Sequence, residues 1–401
     1  MIKLLVILLL SIFSLFPQVV VRSLHVYTTD DNRSFPVVNK SNKLVIEFDV
    51  DSKNLPDLNI IFTFCDKNWK PIDNIFFQNQ GQNTAYILDY ISLPVTVEEA
   101  RYNFLNKFPD NSGYVSFPYS GKWKFFIVDS NNPDKILAEG KFIVDLSDVK
   151  LDVDIKKSNM MDKVYSPNEL SRSFEINIKA LIPDEYFPHF VEEVEIFRDH
   201  LADFSLRQNR NDGVNVNRDF KWDGANKISF VFRDFRPGNG YRQVNLMNTN
   251  LYSGKNVQAQ FDGFETTRFY SNPSIDFNGG MQLKNPKDPY ANYMNVKFRL
   301  KPANEIYNDV YIIGAFNNWK ISEEYKLKFD GDLFTSTVLL KRGIYDYQYA
   351  IFEKSTNEVD LYSLEGNNYN ATSTINILMF YRDPQFGGYD KLIGFSRIHL
   401  K

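Results

Sequence analysis

Alternation of apolar and polar residues dominates this chain. LVIEFDVD (Leu44–Asp51) places apolar residues on one face and acidic residues on the other, the period of a strand with one side buried. LNIIFTFC (Leu58–Cys65) is apolar nearly throughout and predicts a strand buried on both sides. Thr84–Tyr90, Tyr102–Pro109, Gly121–Asp129 and Ala138–Asp145 continue the series, with Asn131-Asn132-Pro133-Asp134 as a loop. Short strands separated by turn signals predict a sandwich.

Further on, Ser171–Leu181 turns Phe174, Ile176 and Ile178 inward, and Lys227–Phe235 is another strand. FVEEVEIFRD (Phe190–Asp199) fits either period; its strand neighbours favour strand. Asn209–Asp219 reads as a polar loop. Val257–Gly263 and Thr266–Asn272 read as a hairpin, and NGGMQLKNPKDPY (Asn278–Tyr290) as a linker. Asn295–Lys301 then opens a stretch centred on VYIIGAFNNWK. Here Asn317-Asn318 supply turn chemistry, Asp330-Gly331 a hairpin, and Tyr345, Tyr347 and Tyr349 share one face. Ser373–Asp383 is the last long strand expected, and the tail Phe386–Ile398 is expected to continue beyond the sandwich. The pattern predicts an all-β chain of sandwiches. The expected divisions are 1–23, 24–147, 148–290 and 291–401.

Residues 1–23 change the picture of location. Lys3 precedes an apolar run from Leu4 to Phe16, shorter than the roughly 20 residues a membrane helix needs. It reads as a secretory signal peptide cut after Ser23. No cysteine follows it to carry a lipid anchor, so an exported chain is expected. The 401 residues suit two to three domains at about 150 each. Their 46 basic and 50 acidic residues give no basic excess for nucleic acid. Aromatic residues are 15% of the chain, a β-leaning composition.

Candidate chemistry is sparse. Cys65, alone of its kind, allows neither a disulfide within the chain nor a cysteine metal site, and reads as a small buried residue. His25, His189, His200 and His399 are too far apart in sequence to form a local metal pair. Asp30-Asp31 and Glu323-Glu324 lie in polar loops and read as solvated. Phosphate-binding, dinucleotide, zinc-protease and serine-hydrolase motifs are all missing. No catalytic residue, cofactor, metal or small-molecule substrate is expected. Trp319, Tyr345, Tyr347 and Tyr349 could stack on sugar rings, but core packing is the favoured reading; Trp69 and Trp123 read the same way.

Six motifs in order carry a resemblance across nearly the whole chain after residue 23. They are Cys65-Asp66-x-x-Trp69-Lys70; Ser120-Gly121-x-Trp123 before Asn132-Pro133-Asp134-Lys135; and Phe235-x-Pro237-Gly238-Asn239 with Arg242. Then come Val310-Tyr311-x-x-Gly314-Ala315-Phe316-x-x-Trp319, Leu339-Leu340-Lys341-x-Gly343-x-Tyr345-x-Tyr347-Gln348-Tyr349, and Phe386-Gly387-Gly388-Tyr389-Asp390-x-Leu392-Ile393-Gly394. This set resembles the plug protein family of the type IX secretion system. The resemblance implies a periplasmic protein built as an elongated row of tandem β-sandwiches. It also implies a partner, the large outer-membrane translocon barrel, whose periplasmic mouth such a protein closes when no substrate crosses. The polar loop Asn209–Asp219 and the Gly-rich tail from Phe386 are the expected contacts. Val310–Phe352 is also similar to the glycogen-binding module of the early-set folds, which implies immunoglobulin-like, early-set sandwiches. Gln348 stands where that module has a lysine, and Glu353–Tyr362 has no second tryptophan, so the shared residues are those that shape the sandwich. The alternatives to a plug are an α-glucan-binding protein and, less favoured, an outer-membrane barrel.

Overall fold

The computed structural model describes residues 19–160, 168–213, 215–260, 263–268 and 276–400, so residues 1–18 of the expected leader, residue 214 of the expected loop and residues 261–262 and 269–272 of the expected hairpin lie outside the described residues. The chain is all-β and folds into three sandwiches. In the first, one sheet runs in the order Val20–Thr28, Leu44–Asp51, Tyr102–Phe108, Tyr90–Ser92. Its facing sheet is Val37–Val38, Asn132–Val144, Gly121–Asp129, Leu58–Cys65, Thr84–Ala85. The alternating residues Ile46, Phe48, Ile60, Phe62, Trp123 and Phe125 meet between these sheets in an aromatic core. The expected cut after Ser23 falls inside a strand, because Val20–Arg22 already pair with Asp49–Asp51.

The second sandwich corrects the expected divisions. One sheet is Leu151–Asn159, Arg172–Leu181, Lys227–Phe235, Arg218–Trp222, so the polar stretch read as a loop ends in an edge strand. The other is Leu206–Asn209, Val191–Arg198, Ser373–Asp383, Tyr389–Leu400. The last two strands therefore belong to the middle of the molecule. Val194 pairs with Met379 and Ile196 with Ile377, and these residues share a core with Ile176 and Phe230. The tail does not run past a sandwich; Tyr389–Leu400 is a twelve-residue strand.

The third sandwich is inserted into the second, between Phe235 and Ser373. Gly343–Glu353 pairs with Arg242–Asn245, Met281–Leu283, Asp309–Gly314 and Glu358–Asp360. The facing sheet holds Asn256–Gln258, Glu265–Thr266, Tyr293–Lys301, Phe334–Lys341 and Lys328–Phe329. Asn256–Gln258 and Glu265–Thr266 each run parallel to Tyr293–Lys301. Met281–Leu283, inside the expected linker, is a strand on Gly343–Glu353. The described strands form six open sheets rather than one closed barrel.

Nor are the three sandwiches strung in a row, since each touches the other two. Ser373–Asp383 shows why. It is buried along almost its whole length: Ile375, Ile377 and Met379 face its own core, while Leu378 and Phe380 face the first sandwich beside Trp69 and Ile143.

Candidate functional site: the junction of three sandwiches

The first-to-second contact is built on a lysine. Gly121–Asp129 turns Trp123 inward and therefore Lys122 outward. Val191–Arg198 likewise turns Val194 and Ile196 inward and Glu193, Glu195 and Phe197 outward. Docking of the two sheets buries what alternation exposed: Lys122 Nζ lies 2.6 Å from Glu195 Oε2, and both side chains are wholly buried. Lys122 also donates to the Lys67 carbonyl at 2.7 Å and sits 4.6 Å from the Trp69 ring centroid. Lys67 reaches Glu192 at 2.8 Å, and its amide donates to Asp390 at 3.1 Å. Loss of solvent pushes the Lys122 ammonium down to about 8, against the pull of Glu195.

At the second-to-third contact, Arg198 donates to the Pro237 carbonyl at 2.7 Å. Gly238, at φ +72°, passes so close that a Cβ there would lie 1.3 Å from Arg198 Nη1; only glycine fits. The Tyr241 hydroxyl donates to Asp199 at 2.8 Å, and Asp199 also accepts the Thr374 amide at 2.6 Å. Burial pushes the Asp199 carboxyl up to about 7 despite Arg198 beside it. Trp319 packs on Tyr241 with ring centroids 4.7 Å apart, and its indole donates to the Gly279 carbonyl at 2.9 Å.

The first-to-third contact centres on Asp49, which lies 2.7 Å from Lys341 Nζ. Asp49 also accepts from Tyr293 and Asn103, each at 2.8 Å. Where all three sandwiches meet, a cavity of about 60 Å³ is lined by His25, Arg33, Glu139, His200, Gly280 and Lys320, among others. His200 bonds the Arg33 carbonyl at 2.6 Å through Nε2, and desolvation pushes both histidines down to about 4.

The sugar candidates are not brought together. Trp319 lies with Ile313 and Ala350 on the outer face of its sheet, whereas Tyr345, Tyr347 and Tyr349 lie on the inner face. All four are buried. The tyrosines serve a polar network: Glu265 accepts from Tyr347 at 2.9 Å, from Tyr349, and from Arg242 at 3.1 Å, while Arg242 Nε donates to Glu365 at 2.9 Å. Trp69 and Trp123 are buried as well. Cys65 is buried, and desolvation raises its thiol to about 12. Asp31 caps the Arg33 and Ser34 amides at 3.0 and 3.1 Å, a turn rather than a catalytic pair. Among the described residues no group of three or more His, Cys, Asp and Glu could hold a metal, and no helix is long and apolar enough to cross a membrane.

Chemically, this arrangement holds three β-bodies as one. Buried charge couples each pair, and large aromatic side chains fill the seams. The first of these bodies also has a family. Residues 21–145 match the type 9 secretion system plug protein 1st domain. The first sandwich is thus similar to a domain found in plug proteins of type IX secretion. The fold as a whole also has a solved counterpart, the crystal structure of a hypothetical protein from Parabacteroides merdae ATCC 43184. It is 20% identical, with a TM-score of 0.76 over 96% of this chain and 99% of that one. The plug domain and both later sandwiches thus lie within a fold already seen. A marsupial T cell receptor aligns with a TM-score of 0.17 at 9% identity, over 94% of this chain and 99% of that one. No curated protein matches the chain.

Lys122, Glu195 and Arg198 were not singled out in the sequence, Asp49 appeared only on the acidic face of Leu44–Asp51, and Lys341 only as part of a motif. The only signal was the two-way pattern of Phe190–Asp199, in which glutamates alternate with apolar residues on a strand that needs both faces covered.

Proposed function

We propose that this protein is a non-catalytic periplasmic plug that binds and closes the periplasmic side of the outer-membrane translocon channel of type IX secretion. The match of residues 21–145 to the plug 1st domain carries this reading. The welded junction supports it. A plug must span a wide pore without deforming, and three sandwiches in mutual contact hold a fixed outline better than beads on a linker. No cofactor takes part, and attachment to the membrane runs through the barrel. The test is recovery of tagged protein from envelope extracts with and without cross-linking. Co-recovery of a large outer-membrane barrel is expected; its absence in both conditions would refute the proposal.

A further inference from the structure

The edge of the first sandwich has an unusual surface. Asn74 to Leu88 contains no Asp, Glu, Lys or Arg, nor does Asn111 to Gly121, nor Pro384 to Tyr389, although 24% of the chain is charged. These three segments, remote in sequence and drawn from two sandwiches, are fastened together. The Ser116 amide donates to the Gln82 carbonyl at 2.9 Å, and Asn79 Nδ2 donates to the Ser116 carbonyl at 3.1 Å. The Asn74 side chain donates to the Phe386 carbonyl at 3.0 Å, and the Phe386 ring stacks on Phe76 with centroids 4.9 Å apart. Tyr86 meets Tyr114 edge-on at 6.1 Å.

The result is a face of exposed Ile75, Phe76, Tyr86, Ile87, Tyr114 and Phe386 set among Gln and Asn amides. Ile87 is 80% exposed and Phe76 57%. Phe386 adopts φ 53°, a left-handed conformation that a bulky side chain rarely takes. The flanking Gly387 and Gly388, both at positive φ, complete the turn that holds its ring outward. Single exposed apolar residues need no explanation, but a joined set without charge does. Depletion of charge with enrichment in aromatic side chains marks the centre of protein interfaces, and Tyr with Asn supplies rigid contact area and adaptable hydrogen bonds. Charge of both signs returns at the margin, as the exposed Asp73 and Asp89, as exposed Arg382 beside Gly388, and as Lys43, which donates to Asn111 at 2.9 Å.

We infer that this uncharged face is the docking surface for the translocon barrel, which meets it through an uncharged aromatic and amide surface. The inference rests on the plug reading above and names the surface that reading lacks. The expected contact loop Asn209–Asp219 is not part of it, whereas the Gly-rich turn at Phe386 is.

A photo-reactive amino acid at position 76 or 87 of the full chain should cross-link to the barrel in envelopes. One at Tyr307, 91% exposed on the inserted sandwich, should not. Ile87→Glu and Phe76→Glu should lower barrel recovery about tenfold or more, the loss expected for a hot-spot side chain. Their circular dichroism and melting should stay unchanged, because both side chains lie outside the core. Adducts from position 307 but not from 76 or 87 would overturn the inference while leaving the plug reading intact. Adducts from 76 and 87 to a second copy of this chain, or to any other protein, would overturn it too. Loss of barrel recovery for the unmodified protein would instead defeat the plug reading itself.

Discussion

Lys122 and Ile87 belong to the same sandwich and occupy opposite situations. The lysine is wholly buried at a seam, and the isoleucine is among the most exposed side chains of the protein. Around Lys122 the surface is rich in charge and sealed; around Ile87 it is free of charge and open. A globular protein ordinarily arranges these the other way, because burying an ion costs several kcal/mol even when it is paired. The difference teaches what each surface is for. A seam of buried ion pairs penalises wrong registers, since any slip strands a charge. An open surface without charge can lose its water cheaply and regain it, as a separable contact requires.

The comparison can be broken at several points. The largest effect is expected from truncation after Thr372, which removes two of the four strands of one sheet in the second sandwich. Hydrogen exchange should show protection lost across Arg172–Leu181 and Lys227–Phe235 while the inserted sandwich stays protected; retained protection in both strands would refute the insertion topology. Next, Glu195→Ala strands Lys122 and should cost about 3–5 kcal/mol in urea denaturation. The paired change Lys122→Met with Glu195→Leu should recover most of it. If the single variant costs less than about 1 kcal/mol, the seam is wetter than its geometry indicates.

Acid should act on the three-way cavity. His25 and His200 titrate in the folded state near 4, below their ordinary value of 6.5. Their contribution to stability is therefore present above pH 6.5 and lost as pH falls from 6.5 toward 4. Asp199 runs the other way: its raised value means stability is lost as pH climbs from about 4 to 7. Melting temperature of the His25→Gln, His200→Gln variant should fall less than that of the unmodified protein between pH 6.5 and 4. Parallel curves would show that the histidines do not drive the loss. The smallest effect is expected at the open face, where Ile87→Glu should change stability by no more than about 0.5 kcal/mol.

Much of the strand content was legible, because alternation reports which face of a strand is buried. Leu44–Asp51 and Lys227–Phe235 stand where their patterns put them. Pairing partners were not legible. Nothing in Val191–Arg198 names Ser373–Asp383 as its neighbour, since strands of similar apolar content satisfy one another's backbone equally well. Asn278–Tyr290 misled for a physical reason. Its glycines look like a linker, yet Gly280 is small because a Cβ would lie 2.7 Å from the Arg33 carbonyl oxygen of another sandwich. Lys122 was invisible as a seam residue, for a lysine alternating with apolar side chains looks the same whether water or a glutamate waits opposite.

The insertion of one sandwich into another has a consequence for how the chain comes into being. The Thr374 amide and Asp199 carboxylate that close the second sandwich are 175 residues apart. A chain emerging from its N-terminus completes the first and the inserted sandwiches before the second has all its strands. Until Ser373–Asp383 arrives, Val191–Arg198 has an open edge, the kind of strand that pairs with a stranger. Closure of such a distant pair is slow compared with local hairpins. Assembly of the triangle is thus a late, single event, and a newly made molecule passes through an interval in which two finished bodies wait on an unfinished third.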